Sequence, residues 1–310
     1  MAGLFQVFFW LSRDNLVTLN ENSFEKIESL SYSPFEGYDK NLLSSEQIAY
    51  DVNLFENFTN KLRTYGTLEA YKILQSSKDS NLPIDLGLWI GGDLEANNLE
   101  IQRALEILKE YPNRIQSVIV GNEVLLRKEL EPLELYAYID FMKSHTKKPV
   151  TTAETWDIWE KNPQLASHVD FLTIHILPYW EKVPIERYNE FIIEKYSVVE
   201  ELFPNRKIVI GETGWPSHGY NNNKAVPSIK NQAQAIRGFV NLAHEKGWHY
   251  NIIEALDQPW KGYDEGNVGQ YWGIFTTDRA LKFQLAGEVE LNKYWLYQMI
   301  AAIIIGALLT

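Results

Sequence analysis

The sequence predicts an α/β protein, a (β/α)8 TIM barrel followed by a C-terminal membrane helix. Two observations carry the barrel. Across residues 25–288, short apolar runs alternate with amphipathic helical stretches, the pattern of parallel strands joined by crossover helices. About eight such runs can be read, and no Gly-rich phosphate loop follows any of them, which argues against an open nucleotide-binding sheet. A third observation carries the membrane helix. Residues 294–310, YWLYQMIAAIIIGALLT, hold no charge over about 17 positions, close to the length a bilayer demands. A buried terminal helix is the alternative, but the polar face of a surface helix is missing.

The first strand is read at residues 27–32, ending in Ser33-Pro34-Phe35. Ser44-Ser45-Glu46 opens a helix that runs to about residue 60 and buries Ile48, Val52, Phe55 and Phe58. The second strand, 62–65, is cut off at Gly66. A helix over 68–77 leads to the third strand, 84–90, closed by Gly91-Gly92. Helix 98–110 keeps Ile101, Leu105 and Leu108 on one face and precedes the fourth strand, 117–120. Pro132 starts a helix to about residue 144, and the fifth strand is 149–153. A short helix over 162–168 leads to the sixth strand, 169–176, with Pro178-Tyr179-Trp180 at its exit. A long helix, 185–203, precedes the seventh strand, 208–210. Helix 228–246 leads to the eighth strand, 251–256, which ends in Asp257-Gln258-Pro259-Trp260.

Three parts follow: an N-terminal apolar segment 1–24, the barrel 25–288, and the start of a transmembrane segment over 289–310. Within the first part, residues 4–11 (LFQVFFWL) are too short to span a bilayer. They are either the stub of an anchor or signal segment or a helix packed on the barrel.

The net charge of −12 and the lack of a basic stripe exclude nucleic acid as a partner. With no cysteine there are no disulfides, thiolate metal sites or cysteine nucleophiles. The histidines show no metal-ligand spacing, so neither metal nor cofactor is expected. Ten Trp and seventeen Tyr are a heavy aromatic load. Core packing accounts for most of it, and sugar stacking is the reading for the remainder.

Barrels work at the carboxyl ends of their strands. Two of these ends share a design: residues 115–124, IQSVIVGNEV, and residues 207–219, KIVIGETGWPSHG. Each is an apolar run, then a glycine, then a Glu closely after it. Glu123 and Glu212, about 90 residues apart, would face each other from the fourth and seventh strands. The other ends supply aromatics and few cations. Such an inventory suits breaking or transferring a glycosidic bond, which needs one protonated carboxyl and one ionised carboxylate. A gap of about 5 Å between them gives retention through a covalent intermediate; about 8 Å gives inversion. Trp89, Trp156, Trp215 and Trp260 are stacking or rim-packing residues. Arg63, inside the barrel, calls for a partner, Glu254 or Glu154. His175 reads as a hydrogen-bonded core histidine.

The strings VIVGNEV and IVIGETGWPS resemble the two catalytic signatures of glycoside hydrolase family 17, the β-1,3-glucanase family. SYSPFEG (31–37), GLWIGGD (87–93), TIHILPYWE (173–181) and EALDQPWK (254–261) resemble its bacterial branch, and the similarity covers residues 27–283. The resemblance implies a retaining mechanism on β-glucan, with Glu123 as general acid/base and Glu212 as nucleophile. It implies that Asn122 bonds the sugar 2-hydroxyl and that Tyr179 touches the nucleophile. Lys261 falls where the plant enzymes carry a lysine; Gln258 stands where they carry an acid. The substrate-binding set expected is Tyr32, Arg63, Trp89, Asn122, Trp156, His175, Tyr179, Trp215, Gln258, Trp260 and Lys261. To serve as acid, Glu123 needs a raised pKa, from the charge of Glu212 and a Trp-roofed pocket.

Similar domains precede membrane glucan synthases. The resemblance therefore implies a membrane-tethered enzyme on the periplasmic or extracellular face of a bacterial inner membrane. It would remodel glucan by transglycosylation, with a synthase module as partner in a longer chain. Hydrolysis, as an endo-β-1,3-glucanase, is the alternative. A non-catalytic glucan-binding barrel is a remote one, because both acids are present.

Overall fold

Residues 16–19, 26–292 and 294–308 are described by a computed structural model. The expected apolar stretch 4–11 lies outside them. In chain order the strands are β1 (Leu16–Thr18), β2 (Leu30–Ser31), β3 (Phe35–Glu36), β4 (Asn41–Leu42), β5 (Leu62–Arg63) and β6 (Ile84–Leu88). They continue with β7 (Ile115–Asn122), β8 (Val150–Thr155), β9 (Leu172–His175), β10 (Ile208–Thr213), β11 (His249–Ile252) and β12 (Glu288–Glu290). The α-helices are α1 (Ser45–Glu56), α2 (Thr67–Ser76), α3 (Leu94–Glu110), α4 (Pro132–His145), α5 (Trp156–Lys161), α6 (Tyr188–Leu202), α7 (Ile229–Lys246) and α8 (Trp295–Leu308).

The apolar runs form a closed parallel barrel in the order β2-β5-β6-β7-β8-β9-β10-β11, with β11 pairing back onto β2. Consecutive strands are neighbours throughout, so every crossover helix packs outside the sheet between the strands it joins, as in a (β/α)8 barrel. The residues of β6 are all buried, and its one acid, Asp85, accepts from Ser117 Oγ at 2.6 Å.

Local signals set most helix starts. Ser44 caps α1 by accepting from Gln47 N, and Ser228 caps α7 by accepting from Asn231 N. The helix expected from residue 98 begins at Leu94, because Asp93 accepts from Glu95 N and Ala96 N right after Gly92. α5 was not anticipated; β8 passes into it without an intervening loop.

Two small ribbons lie outside the barrel. β3 and β4 form an antiparallel hairpin after the first strand. Tyr38 of this hairpin meets Tyr263 edge-on at 6.2 Å, and Lys40 Nζ lies 4.3 Å from the Trp260 ring, so loops following the first and last strands touch. β1 pairs antiparallel with β12, which carries structure across both boundaries read from the sequence.

The membrane-crossing helix expected over 289–310 does not form among the described residues. Its first part is strand β12, and α8 has 14 residues. At 1.5 Å per residue α8 is about 21 Å long, short of a hydrocarbon core of about 30 Å. No helix among the described residues is long and apolar enough to cross a membrane.

Candidate active site

β7 and β10 each deliver a carboxylate past a glycine that the packing requires. A Cβ on Gly211 would lie 2.3 Å from Thr173 Cγ2 and 3.2 Å from both Arg63 Nη1 and His175 Cδ2. Gly121 has φ +82, and a Cβ there would lie 2.5 Å from Val124 Cγ2. The next turn is tighter still. Glu123 is held at φ 55, the left-handed region that non-glycine residues seldom adopt. Surrounding bonds fix it there. Glu123 N donates to Ala153 O at 2.7 Å, and Leu125 N and Leu126 N donate to the two oxygens of Glu154 at 2.8 and 3.3 Å.

The two acids meet. One oxygen of Glu123, one of Glu212 and a ring nitrogen of His175 all lie within 4.8 Å of one another. That places the carboxylates at the short, retaining separation. Glu212 is buried, and its Oε1 accepts no hydrogen bond.

Arg63 is the cation beneath them. Its Nη1 donates to Gly211 O at 2.5 Å and lies 3.5 Å from Glu212 Oε1; its Nη2 donates to Asn122 Oδ1 at 2.6 Å. The expected partners, Glu254 or Glu154, are both engaged elsewhere. Glu254 bonds Lys261 Nζ at 2.9 Å with each oxygen, and Glu154 holds the 123–126 turn. Arg63 thus takes the Asn122 side-chain carbonyl oxygen as acceptor.

The expectation for Glu123 fails in sign. Burial pushes its carboxyl up, but the hydrogen bond from His175 and the charges around it outweigh burial and hold it below the usual carboxylate value. Sequence reasoning counted Glu212 and a Trp roof and did not place His175 and Arg127 beside the acid. Elsewhere burial dominates: it raises Glu154 and Glu254 to about 7. Burial opposes the charge on Lys261, yet Glu254, Glu265 and Glu212 outweigh it and keep the ammonium.

Glu123, His175 and Glu212 are close enough to chelate a cation. They do not make a metal centre, because both imidazole nitrogens are committed: Nε2 lies 3.3 Å from Arg63 Nη1 and Nδ1 2.8 Å from Glu123 Oε1. The guanidinium already supplies the positive charge.

A cavity of about 220 Å³ opens over the acids. Of the expected substrate residues, Trp156 and His175 line it with Glu123 and Glu212. Arg63 and Asn122 support it from below, and Lys261 is buried on Glu254. The others serve packing. Tyr32 is buried and donates to Asp51 Oδ2 at 2.9 Å. Trp215 is 0% exposed, with its indole N–H on Val226 O. Tyr179 is buried and donates to Tyr220 O at 2.6 Å, so the phenol is occupied and His175 stands by the nucleophile instead. Gln258 is buried between Ser33 O and the Trp260 indole. Trp89 is 46% exposed outside the cavity and carries the Arg127 guanidinium on its face at 4.6 Å.

Sequence reasoning missed Trp180, Trp272, Glu181 and Glu265, all of which line the cavity. Trp180 was visible in the Pro-Tyr-Trp exit of the sixth strand, where its neighbour Tyr179 drew the attention. Trp272 and Glu265 come from a loop far beyond the last strand and leave no local signal. Trp180 and Trp272 stack at 5.8 Å, and the Trp272 indole N–H is buried without a partner. A larger cavity, about 500 Å³, lies against α7 and is lined in part by Tyr188, Asn189 and Arg237. It lacks facing acids over an aromatic wall.

A family model for the BtgE/BtgC glycoside hydrolase domain matches residues 29–273. The chain is similar to a glucan 1,3-β-glucosidase of Schizosaccharomyces pombe, 27% identical over 76% of this chain and 79% of that protein. It is also similar to a probable family 17 glucosidase, SCW4, of Saccharomyces cerevisiae, 25% identical over 81% of this chain and 66% of that protein. Among solved structures, an active-site mutant of the Rhizomucor miehei β-1,3-glucanosyltransferase in complex with laminaritriose superposes with a TM-score of 0.75. It is 25% identical, over 83% of this chain and 95% of that one. All three are fungal; the bacterial affiliation rests on motif strings alone.

Proposed function

The chain belongs to the BtgE/BtgC glycoside hydrolase domain family, and from that premise we propose that it cleaves β-1,3-glucan with retention and passes the glycosyl group to a second glucan chain. One observation carries the reading: two carboxylates with oxygens within 4.8 Å of one another line one cavity, the retaining arrangement. In the first half of the reaction the Glu212 carboxylate attacks the anomeric carbon. The glycosidic C–O bond breaks, and the departing oxygen takes the proton of Glu123. In the second half Glu123 removes the proton of an acceptor hydroxyl. The acceptor oxygen bonds to the anomeric carbon, and the bond to Glu212 breaks. Asn122 offers its amide to the 2-hydroxyl beside the reacting carbon.

Transfer is favoured over hydrolysis by Trp156 and Trp180, the partly exposed indoles that line the cavity beside the acids, apolar surface suited to a second sugar and poor for water. To test this, the protein is incubated with a reduced-end β-1,3-oligosaccharide and product lengths are read. Products longer than the substrate are expected. Shorter products alone make it a hydrolase, and no products at all remove the reading.

We also place the enzyme at a membrane surface outside the cytoplasm. This is supported by α8, which bears no charge and buries none of its side chains.

A further inference from the structure

We infer that His175 is a positioning residue that selects the base form of Glu123, and so commits the site to the second half of the reaction. The inference rests on the retaining reading above and adds a role for a side chain that it leaves without one.

The Arg63 guanidinium offers donors only and does not lose its proton in proteins. Nη1 and Nη2 lie 3.3 and 3.4 Å from His175 Nε2. A proton on Nε2 would set N–H against two N–H groups, so Nε2 presents its lone pair. The neutral ring then carries its proton on Nδ1, which donates to Glu123 Oε1 at 2.8 Å. Nδ1 is also 3.7 Å from Glu212 Oε2, so this one N–H lies close to both acids. The imidazole is 1% exposed, with no room to turn over and exchange partners with water. Arg63 thus fixes the tautomer of His175, and the tautomer fixes what Glu123 receives.

A donated hydrogen bond favours a carboxylate over a carboxylic acid. The groups facing Glu123 pull both ways. Arg127 of its own turn and Arg63 of β5 favour the charge; Glu212 of β10, Glu154 of β8 and Glu265 of the later loop oppose it. His175 is the one that both bonds the carboxylate and is itself held by another strand. Once Glu212 is esterified its charge is gone, and the bond from His175 leaves Glu123 a ready base. The acceptor proton then goes to Glu123, the acceptor oxygen to the anomeric carbon, and the electron pair of the broken ester to Glu212.

The test compares pH profiles of the full-length chain and its His175→Leu and His175→Asn variants. Asn can keep both polarities, accepting from Arg63 and donating to Glu123. Two substrates are used: a β-1,3-oligosaccharide, and an aryl β-1,3-oligosaccharide whose phenol leaves without acid help. With the first, His175→Leu is expected to move the alkaline limb of kcat/KM up by about one pH unit, while His175→Asn stays near the parent limb. With the second, His175→Leu is expected to release phenol in a burst and then turn over at least about tenfold more slowly. A limb that stays put, with both substrates slowed alike and no burst, overturns the inference and leaves His175 a packing residue. Should the Leu variant not fold, His175→Ala, which also removes the donor without adding a charge, carries the same comparison. A parent protein that makes no products from either substrate sinks the retaining reading instead.

Discussion

Glu212 and Glu123 are held in opposite ways. Glu212 extends from a strand end beside the Arg63 guanidinium, whereas Glu123 is bent back at a left-handed turn and tied by a hydrogen bond. Glu212→Ala is therefore expected to remove turnover by roughly 10⁴-fold or more, since no other group can form the ester. Thermal unfolding should stay cooperative, because the lost side chain leaves Arg63 with Gly211 O and Asn122 as partners. Activity near the parent level would take Glu212 out of the mechanism. Both acids were legible in the sequence because a glycine and a Glu at the end of an apolar run are local features. His175 was legible as a residue but not as a partner. Its meaning depends on strand register, which brings it level with Glu212 and within reach of an acid more than 50 positions away. The roles of Trp215 and Tyr179 were misjudged for a related reason. A bulky aromatic in a rim loop can point into the cleft or under it, and only packing decides.

At the level of elements, the turn after β7 depends on one carboxylate of β8. Glu154 accepts from Leu125 N and Leu126 N, and so clamps the backbone that carries Glu123. Gln at 154 would keep one acceptor and set an N–H against the other donor. Glu154→Gln is expected to lower kcat by roughly ten- to a hundredfold with little change in KM, through misplacement of the acid. It should also alter the response to pH. Burial raises Glu154 to about 7, from an unfolded value of 4.5. Between those two values the folded chain binds the extra proton. Stability from this group is therefore full below the window and falls as pH rises through it, by at most about 3 kcal/mol. Denaturant midpoints measured across that range should fall less steeply in the Gln variant; an unchanged slope would mean that Glu154 titrates normally. Little of this clamp could be read from the chain, because a barrel acid and a barrel Arg suggest an ion pair, and Glu154 was offered to Arg63 rather than to the backbone N–H groups it accepts from. The helix starts were easier where a Ser cap stood next to an apolar stripe, as at Ser44 and Ser228, than at Asp93, whose helix was placed four residues late.

For the whole molecule, the barrel was legible from eight runs and their spacing, since each crossover has only one compact way to return to the sheet. The terminal run was misread because its uncharged length of about 17 residues came close to a bilayer span, whereas the segment starts as strand β12 and its helix has 14 residues. α8 buries no side chain, whereas β12 before it pairs with β1. Deleting residues 294–310 is thus expected to leave kcat unchanged and stability within about 0.5 kcal/mol, while abolishing sedimentation with lipid vesicles. A large loss of stability would show that α8 packs on the barrel after all.

Glu69, Glu154 and Glu254 sit deep in the molecule, each raised to about 7 by burial. Near pH 6 the native protein therefore carries hydrogen ions that its unfolded chain releases. The surrounding buffer must absorb them, so melting enthalpies recorded by calorimetry will include the buffer's own heat of protonation. Two laboratories using phosphate and imidazole would report different heats for the same transition, and the gap between them counts the ions set free.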